Sequence, residues 1–195
     1  PDYSYRFIQE AVKKDDLSEV YKLIDARTSQ DIAPTKIPAG AIEFGIQKLG
    51  EIKSVELDIH KAICTIKWKN GTKGQFFTGA TDKMGHFKFT HLPDTLSIFF
   101  QRPQFELEKG ISRLGYKNGK VKEKENSIYY YQKLYGETSY EVVLKWTYPN
   151  KQTLEGTYCL TTQGTWYSEP ESAENLMKKY TENFDAALSV HQQWW

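Results

Sequence analysis

SVELDIHKAICTIKWKNGTKGQFFTGATDKMGHFKF, residues 54–89, carries the clearest structural pattern in the chain. Apolar residues alternate with polar ones from Val55 to Leu57 and again along a second segment that ends at Trp68, which is the period of a half-buried strand. The pair Asn70-Gly71 follows and favours the positive backbone dihedrals of a type I′ hairpin turn. The stretch therefore predicts an antiparallel meander with one dry face and one solvent-exposed face.

Further strands are predicted on both sides of a polar segment. Alternation continues to residue 108, which gives a first strand set at 54–108, bent at Pro103 because proline has no amide to donate to a ladder. The glycine-bearing polar segment at 110–126 predicts a mobile loop. Strand periodicity returns in a second set at 127–167, where the triple tyrosine Tyr129–Tyr131 places rings on both faces.

Helical periodicity marks both ends of the chain. Residues 3–26 predict a helical hairpin whose second helix opens with the capping box DLSE, in which Asp16 and Glu19 each accept a hydrogen bond from the other's amide. A linker with two prolines follows at 29–41. Residues 169–193 predict one amphipathic helix, which we expect to pack across the dry face of the sheet.

Two features leave alternatives open. Residues 42–49 have apolar spacings that fit either a strand or a short helix. The string VLKW at 143–146 repeats TIKW at 65–68, each before a turn that contains asparagine. An old duplication would explain the repeat, but strands draw on a small set of residue types, so we favour convergence on the same hairpin chemistry.

The elements together predict a single α+β domain: a twisted antiparallel meander of roughly 8–10 short strands, open or rolled toward a half-barrel, packed on the C-terminal helix. The N-terminal string FIQEAVKKDDLSEVYKLID, residues 7–25, resembles the paired helices of an ankyrin repeat and also the opening helices of NTF2-like domains. No second copy follows at the ankyrin period of about 33 residues, so only the NTF2-like resemblance is kept.

A second resemblance lies in the meander itself. Residues 50–74, GEIKSVELDIHKAICTIKWKNGTKG, resemble the small extracytoplasmic domain of FtsH proteases, which has a similar strand, hairpin and glycine-threonine turn. The chain has neither the nucleotide-binding loop nor the HExxH zinc motif of those proteases. The resemblance therefore implies a shared accessory fold at most, and no protease activity.

The charge balance argues against a polyanionic partner. The chain has 26 Lys and Arg against 25 Asp and Glu, a net charge of +1, so no strong field attracts nucleic acid. Nucleic-acid binding through Lys67, Lys69 and Lys73 beside sheet aromatics is the lowest-ranked function. No run of about 18 apolar residues is present, which predicts a soluble chain without a transmembrane segment.

Two cysteines are too few for a disulfide scaffold and favour a reducing compartment. Alternation places Cys64 on the face of Trp68, where we expect it to be buried, and places Cys159 on the face opposite Leu160. The chain begins with Pro1 rather than Met, so any N-terminal targeting segment would lie outside it. The compartment is otherwise not indicated.

No motif of catalysis, cofactor binding or metal binding is recognisable. The histidines His60, His86, His91 and His191 have no HxxxH or HExxH relation, so structural roles are expected for them. Phosphate loops, dinucleotide fingerprints and nucleophile elbows are also missing. We therefore expect no catalytic residue, no cofactor and no metal, and favour a role that is not enzymatic.

Aromatic residues are the remaining candidates for a functional site, with 13 Tyr, 10 Phe and 5 Trp. Trp194 and Trp195 end the last predicted helix, where they would be half exposed, and suggest an anchor into a protein partner. Six other rings would line a pocket for an apolar ligand if they converge on a concave sheet, and would otherwise be core. These six are Tyr129, Tyr131, Tyr140, Trp146, Trp166 and Tyr167.

The sequence thus predicts a non-catalytic protein–protein interaction module or an accessory subunit of a larger assembly. This prediction rests on the missing site motifs, the near-neutral charge and the aromatic tail. The alternative is an NTF2-like or lipocalin-like pocket protein that binds, or acts on, a hydrophobic small molecule. It rests on the aromatic-rich second half of the chain.

Overall fold

The computed structural model describes residues 4–22, 37–107, 109–164, 172–179 and 183–195. Within them, ten strands form two antiparallel sheets, which confirms the predicted α+β meander. The strands are β1 Ala41–Phe44, β2 Ile52–Asp58, β3 Ile63–Trp68, β4 Lys73–Thr78, β5 Gly85–Thr90, β6 Ile98–Gln101, β7 Lys120–Lys124, β8 Ser127–Lys133, β9 Ser139–Asn150 and β10 Thr153–Gln163. The helices are α1 Tyr5–Lys13, α2 (described over 18–22), α3 Lys109–Ser112, α4 Ala173–Lys179 and α5 Phe184–Trp194, with a 3-10 turn at Ile46–Leu49.

The large sheet is open. Its order is β2-β3-β4-β5-β10-β9-β8-β7, so two meanders meet at the central β5–β10 pair, and β2 and β7 are the edges in the described part of the chain. The remaining two strands, β1 and β6, pair with each other as a separate small sheet. Residues 42–49 therefore contain both of the alternatives left open by their spacing, a strand followed by a short helical turn.

One face of the large sheet carries most of the aromatic core, and we call it the ring face. Its buried side chains include Trp68, Phe87, Phe89, Leu144 and Leu154, each at most 3% exposed. The small sheet covers this face, with the Phe44 ring centroid 4.9 Å from Phe87 and 5.1 Å from Phe89. Each large side chain buried in this way stabilises the fold by about 1.5–3 kcal/mol.

Glycines face aromatic rings across neighbouring strands of the ring face. Gly74 pairs with Phe89, Gly85 with Tyr158, and Gly156 with Phe87. A Cβ atom at Gly74 would lie 3.1 Å from the Phe89 ring, and one at Gly156 would collide with the Phe87 ring and the Lys145 carbonyl oxygen. Each ring therefore occupies the space that a side chain on the opposite strand would need.

The other face of the large sheet, the helix face, is covered by α4 and α5. Met177 of α4 packs with Val143 and Cys159, while Phe184 of α5 packs with Ile63 and Phe77. The expectation of one dry face and one solvent-exposed face is therefore wrong. Both faces have a cover, because two separate segments of the chain each supply an apolar layer.

The two cysteines are placed in the reverse of the expected order. Cys159 is the buried one, 1% exposed beneath α4, and Cys64 is only partly buried. The alternation placed Cys64 on the correct face, beside Trp68. The prediction failed because the ring face is uncovered near β2, whereas the helix face is covered above Cys159.

The C-terminal segment is two helices where one was predicted. Asn183 has an extended conformation (φ −80°, ψ 169°), and its side chain accepts a hydrogen bond from the Ala186 amide at 2.9 Å, which starts α5 anew. Met177, Phe184, Ala187 and His191, all members of the predicted apolar stripe, are buried. Asparagine is among the best N-cap residues, which explains the break. Residues 169–171 and 180–182 lie outside the described residues.

The hairpin turn after Trp68 is of another type than predicted. Gly71 has a positive φ of 93°, but Asn70 does not, so the turn is not type I′. The Gly71 amide donates to the Trp68 carbonyl at 3.1 Å, and the Asn70 side chain accepts from the Thr72 amide at 2.9 Å. This is a three-residue loop closed by a left-handed glycine, the next most common hairpin connection.

Two further boundaries of the strand sets differ. The first set ends at Gln101 rather than 108, because the chain bends at Pro103 and Phe105 and Leu107 then lie in a turn. The predicted mobile loop at 110–126 contains β7, which pairs with β8 along its whole length. Its sequence KVKEK is polar because it is an edge strand, and this composition resembles that of a loop.

Asp16 caps α2 as predicted, but the reciprocal bond from Glu19 is replaced by a contact with Lys22, whose ammonium donates to Glu19 at 2.7 Å. The start of α1 has a cap that was not predicted. The Ser4 hydroxyl accepts from the Phe7 amide at 3.3 Å at the start of α1, and Asp16 accepts from the Ser18 amide at 3.0 Å before α2. However, α1 has no buried residue. Its apolar stripe therefore does not pack on the sheet edge as expected. Residues 23–36 lie outside the described residues.

Candidate functional site

An apolar cleft extends from the ring face around the end of the sheet at the β2–β3 turn to α5. Two adjoining cavities, of about 500 and 310 Å³, share Phe76 and Tyr158 in their walls. The larger cavity reaches Leu57 of β2 and Trp195, and the smaller one lies against Phe44 of the small sheet. We call the combined cleft the apolar groove. Its volume is in the range of cavities that hold a ligand or an inserted side chain.

The floor of the apolar groove follows directly from strand register. Leu57 pairs with Cys64, Cys64 with Phe76, and Phe76 with Phe87, so these four side chains stand in one row across β2 to β5. Residues directly opposite in antiparallel strands share a face. The row begins exposed at Leu57 and ends fully buried at Phe87, which gives the groove an open end at the sheet edge.

Trp195 borders the open end of the apolar groove. Its indole Nε1 donates to the Ile59 carbonyl at 3.0 Å, and its ring centroid lies 6.0 Å from that of His191. Trp194 lies next to it, with ring centroids 6.2 Å apart. The two side chains are 62% and 59% exposed, for Trp194 and Trp195 respectively. The predicted anchor pair is thus fixed in place by α5 and presents its rings to solvent.

β2 contributes a row of exposed apolar side chains to the same end of the molecule. Val55 is 63% exposed, Leu57 66% and Ile59 69%. Leu57 and Ile59 line the larger cavity together with Trp195. Contiguous exposed apolar residues are uncommon on monomeric proteins and mark interaction surfaces.

His191 supplies a polar atom at the edge of the apolar groove. The ring is 2% exposed, and Nε2 lies 3.3 Å from the Ala62 carbonyl oxygen, so Nε2 is assigned the proton. Nδ1 is then an acceptor, and it is buried without a hydrogen-bond partner among the described residues. His191 also lines the larger cavity. Nδ1 itself is buried, so a bound group could donate a hydrogen bond to it only after the surrounding side chains move.

The six rings predicted to line one pocket are not brought together. Tyr129 and Tyr131 lie on the helix face, opposite Val143 and Glu141 of β9. Tyr140 is buried on the ring face beside Tyr130, and Trp146 packs into the main core of that face. Trp166 and Tyr167 lie outside the described residues. Alternation along β8 and β9 sends the two pairs to opposite sides of the sheet.

Tyr140 and Tyr130 instead belong to a buried hydrogen-bonded layer. The Tyr140 hydroxyl donates to the Pro38 carbonyl at 2.7 Å, and the Tyr130 hydroxyl donates to Gln132 Oε1 at 2.7 Å. Burial raises the pKa of both phenols above the ordinary range. Both therefore remain neutral donors, and the Tyr140 bond to Pro38 holds the segment before β1 against the sheet.

A second, more polar cavity of about 410 Å³ lies on the helix face. It is lined by Lys122, Lys124, Tyr129, Tyr131 and Glu141, among others. The Lys124 ammonium lies 5.2 Å from the centroid of the Tyr129 ring, and Glu141 accepts from the Ala173 amide at 2.9 Å. The Lys124 contact joins β7 to β8, and the Glu141 contact joins β9 to α4.

The lysines considered for nucleic acid are spread over one hairpin. Lys67 and Lys73 are cross-strand partners, and Lys69 forms an ion pair with Glu51. His86 is also accounted for structurally: it is buried, its Nε2 lies 2.7 Å from Asp82 Oδ2, and its ring stacks on Phe77. Within the described residues, no group of three or more His, Cys, Asp or Glu is arranged to hold a metal ion.

Sequence reasoning found Trp194 and Trp195 but missed the groove beside them. Alternation placed Val55, Leu57 and Ile59 on the correct face, and we expected that face to be dry throughout. What leaves them exposed is the position of β2 at the sheet edge, which depends on strand order.

Comparisons with known proteins do not identify a family for this chain. No family model matches the chain, and no curated protein is significantly similar to it. Among the described helices, none is both long enough and apolar enough to cross a membrane.

Proposed function

We propose that the protein is a non-catalytic interaction module that binds an apolar segment of a partner protein in the apolar groove. The observation that carries the proposal is that Leu57, Ile59 and Trp195 border one cleft and are each more than half exposed. Covering such side chains gains about 25 cal/mol per Å² of apolar surface. Tryptophan is also the residue type most enriched among side chains that dominate binding energy.

The test is quantitative co-purification of the full chain from the cells that express it. We expect the double variant Trp194→Ala/Trp195→Ala to bind the partner protein about 30-fold more weakly and to recover correspondingly less of it, because truncating a central aromatic anchor typically costs about 2 kcal/mol or more. Tyr135→Ala is the matched control, since Tyr135 is 86% exposed in the β8–β9 turn, away from the groove. A native chain that purifies alone, or a double variant that retains its partner, would contradict the proposal.

The alternative, a hydrophobic small molecule in the same groove, is supported by His191. A ligand with one hydroxyl or amide donor could satisfy the unpaired Nδ1 while its apolar part fills the cleft. The same preparations separate the two readings if they are also weighed by native mass spectrometry. A small bound mass that His191→Phe removes, with no change in co-purified protein, would support the pocket function instead.

A further inference from the structure

We propose that β2 is a docking edge, to which the partner adds an extended strand that alternates apolar and basic side chains. This inference rests on the proposed function and specifies how the partner is bound. In strand addition, main-chain hydrogen bonds supply affinity, and alternate side chains supply specificity.

The two edges of the large sheet differ in the way that such a role requires. β7 reads KVKEK, and its lysines and glutamate are the usual protection of an edge against pairing with another chain. β2 has seven residues, and its apolar positions Val55 and Leu57 are each more than 60% exposed. Its register irregularity lies between Ile52 and Ser54, so the pairing from Ser54 to Asp58 is regular. β2 also carries charges, at Lys53, Glu56 and Asp58, but unlike β7 it combines them with exposed apolar positions and a regular stretch from Ser54 to Asp58.

The chemistry of the added strand follows from the two faces of β2. An added strand continues both faces of the sheet, so its residues beside Val55 and Leu57 must be apolar. On the helix face they would lie beside Glu56, which is exposed and has no hydrogen bond or ion pair with any described residue. Asp58, by contrast, already accepts from the His60 amide at 2.9 Å. Glu56 is thus the carboxylate left to select a basic residue.

A second copy of β2 fits this edge poorly. In a symmetric antiparallel pair centred on Glu56, the two Glu56 side chains lie directly opposite each other. Centring the pair on Leu57 sets Glu56 opposite Asp58 of the second copy. Like charges in directly opposed positions destabilise a strand pair. Centring on Val55 avoids this repulsion but sets Leu57 opposite Lys53, beside the register irregularity.

Trp195 limits how far the added strand can extend. Its indole Nε1 donates a hydrogen bond to the carbonyl of Ile59, the residue directly after the end of β2. Within residues 52–58, every second residue of β2 directs its amide and carbonyl away from β3, and these outward groups are the ones a partner strand can bond. The partner chain would pass next to the open end of the apolar groove. Strand addition and groove binding are in this way parts of one interface.

The test uses three designed peptides of about seven residues, the length of a typical strand: alternating valine and lysine, alternating valine and glutamate, and a scrambled valine–lysine peptide. Affinity is measured by fluorescence anisotropy, and amide protection by hydrogen exchange. We expect the valine–lysine peptide to protect residues 52–58 and to bind about fivefold more tightly than the valine–glutamate peptide, given the size of cross-strand charge effects. Glu56→Lys should reverse that preference.

Matched controls identify the edge. Leu57→Lys and, independently, Val55→Lys should abolish binding, and both positions are exposed, so thermal unfolding should confirm that the variants fold. The amides of β7 should keep their exchange rates. Absence of protection at residues 52–58, or equal affinity of the scrambled peptide, would overturn the proposal. A free protein that sediments as a dimer, and that Leu57→Lys makes monomeric, would make a second copy the occupant.

The two proposals fail in distinguishable ways. If the native partner is lost on Trp194→Ala/Trp195→Ala but Glu56→Lys and the peptides have no effect, the interaction function stands and strand addition is wrong. If the peptides protect β2 while the tryptophan variants keep their partner, the docking edge stands and the groove is not the partner's site.

Discussion

The two thiols of the chain have different environments, although both lie on strands of the same sheet. Cys159 is covered by α4, with its Sγ 3.6 Å from the Ala173 carbonyl oxygen, and burial raises the pKa of its thiol to about 11. Cys64 lies in the wall of the apolar groove and is only partly buried. Since the thiolate is the reactive form, accessibility and ionisation both make Cys159 the less reactive thiol.

We predict that a soluble thiol reagent at about pH 8 modifies Cys64 rapidly and Cys159 only after unfolding. The variant Cys64→Ser should then show no fast phase, as measured by mass spectrometry of the intact chain. Equal modification rates for the two thiols in the native chain would contradict this assignment.

The raised pKa of the Cys159 thiol also makes the stability of the fold depend on pH. Because the folded-state pKa of Cys159 lies above its ordinary value of 9.0, its contribution is complete below about pH 9 and is lost as pH rises toward 11. The loss amounts to roughly 3 kcal/mol over that window. Cys159→Ala should lack this part of the alkaline destabilisation, which urea unfolding at several pH values would measure.

At the scale of elements, the break between α4 and α5 depends on Asn183. Its side chain accepts from the Ala186 amide, and its backbone is extended, so the residue begins α5 as a separate helix. Burial of Met177 and Phe184 on either side of the break shows that both helices keep their apolar side chains on the sheet. The break lets each helix follow the twisted surface of the sheet separately.

Replacing the Asn183 cap should change the free energy of unfolding, and the direction of that change tests whether the helix break exists. Asn183→Ala should lower the free energy of unfolding by about 1 kcal/mol, and Asn183→Ser should leave it nearly unchanged. Denaturant unfolding monitored by circular dichroism measures both. If the segment were one continuous helix, Asn183→Ala would stabilise the protein, because alanine is the better residue in a helix interior.

The same helices show how far sequence reasoning reaches at this scale. The 3.6-residue period identified the buried residues of both helices correctly, since the apolar spacing continues across Asn183. The break was missed for the same reason, although asparagine followed by Asp185 in the first turn is an N-terminal signal. β7 was missed because its charged sequence, suited to an edge, has the composition of a loop.

At the scale of the whole molecule, the large sheet lies between the small sheet and the pair α4–α5. The N-terminal helices are not part of this arrangement, since α1 has no buried residue. The segment from Ile37 onward is different: Ile37 and Ala39 pack against Tyr130 and Tyr140. Among the described residues, Ile37 and Ala39 therefore belong to the packed unit and α1 does not.

Removal of residues 1–22 tests this division. We expect the free energy of unfolding to change by less than about 0.5 kcal/mol, as for changes at exposed positions without packing partners. Tyr140→Phe is a useful companion variant, because it removes the hydrogen bond to the Pro38 carbonyl and should cost about 1 kcal/mol. A truncated chain as destabilised as one with a damaged core would show that α1 packs against the domain.

Strand order is the property that the sequence could not reveal. Local alternation and turn residues specify neighbours such as β3 and β4, but the pairing of β5 with β10 joins segments far apart in the chain. That pairing decides that β2 is an edge, and hence that Leu57 is exposed and the candidate site exists. Long-range pairing of this kind depends on the packing of the entire core.

Strand order also bears on the repeated tetrapeptide. Trp68 and Trp146 lie on the same face, and β3 and β9 run in the same direction, being four places apart in an antiparallel order. Viewed from that face, however, β4 lies on one side of its hairpin partner β3, and β10 lies on the other side of its hairpin partner β9. The two hairpins cannot be superposed with the tryptophans matched, which favours convergence over duplication.

The facing glycines and rings of the ring face have a consequence for how this sequence can vary. At Gly85 and Tyr158 the space is shared, so a methyl group at the first position collides with the second unless the ring is made smaller. The effects of changing the two positions are then non-additive, since each alters the volume available to the other. Among related sequences, the two positions of such a pair should therefore change together rather than singly.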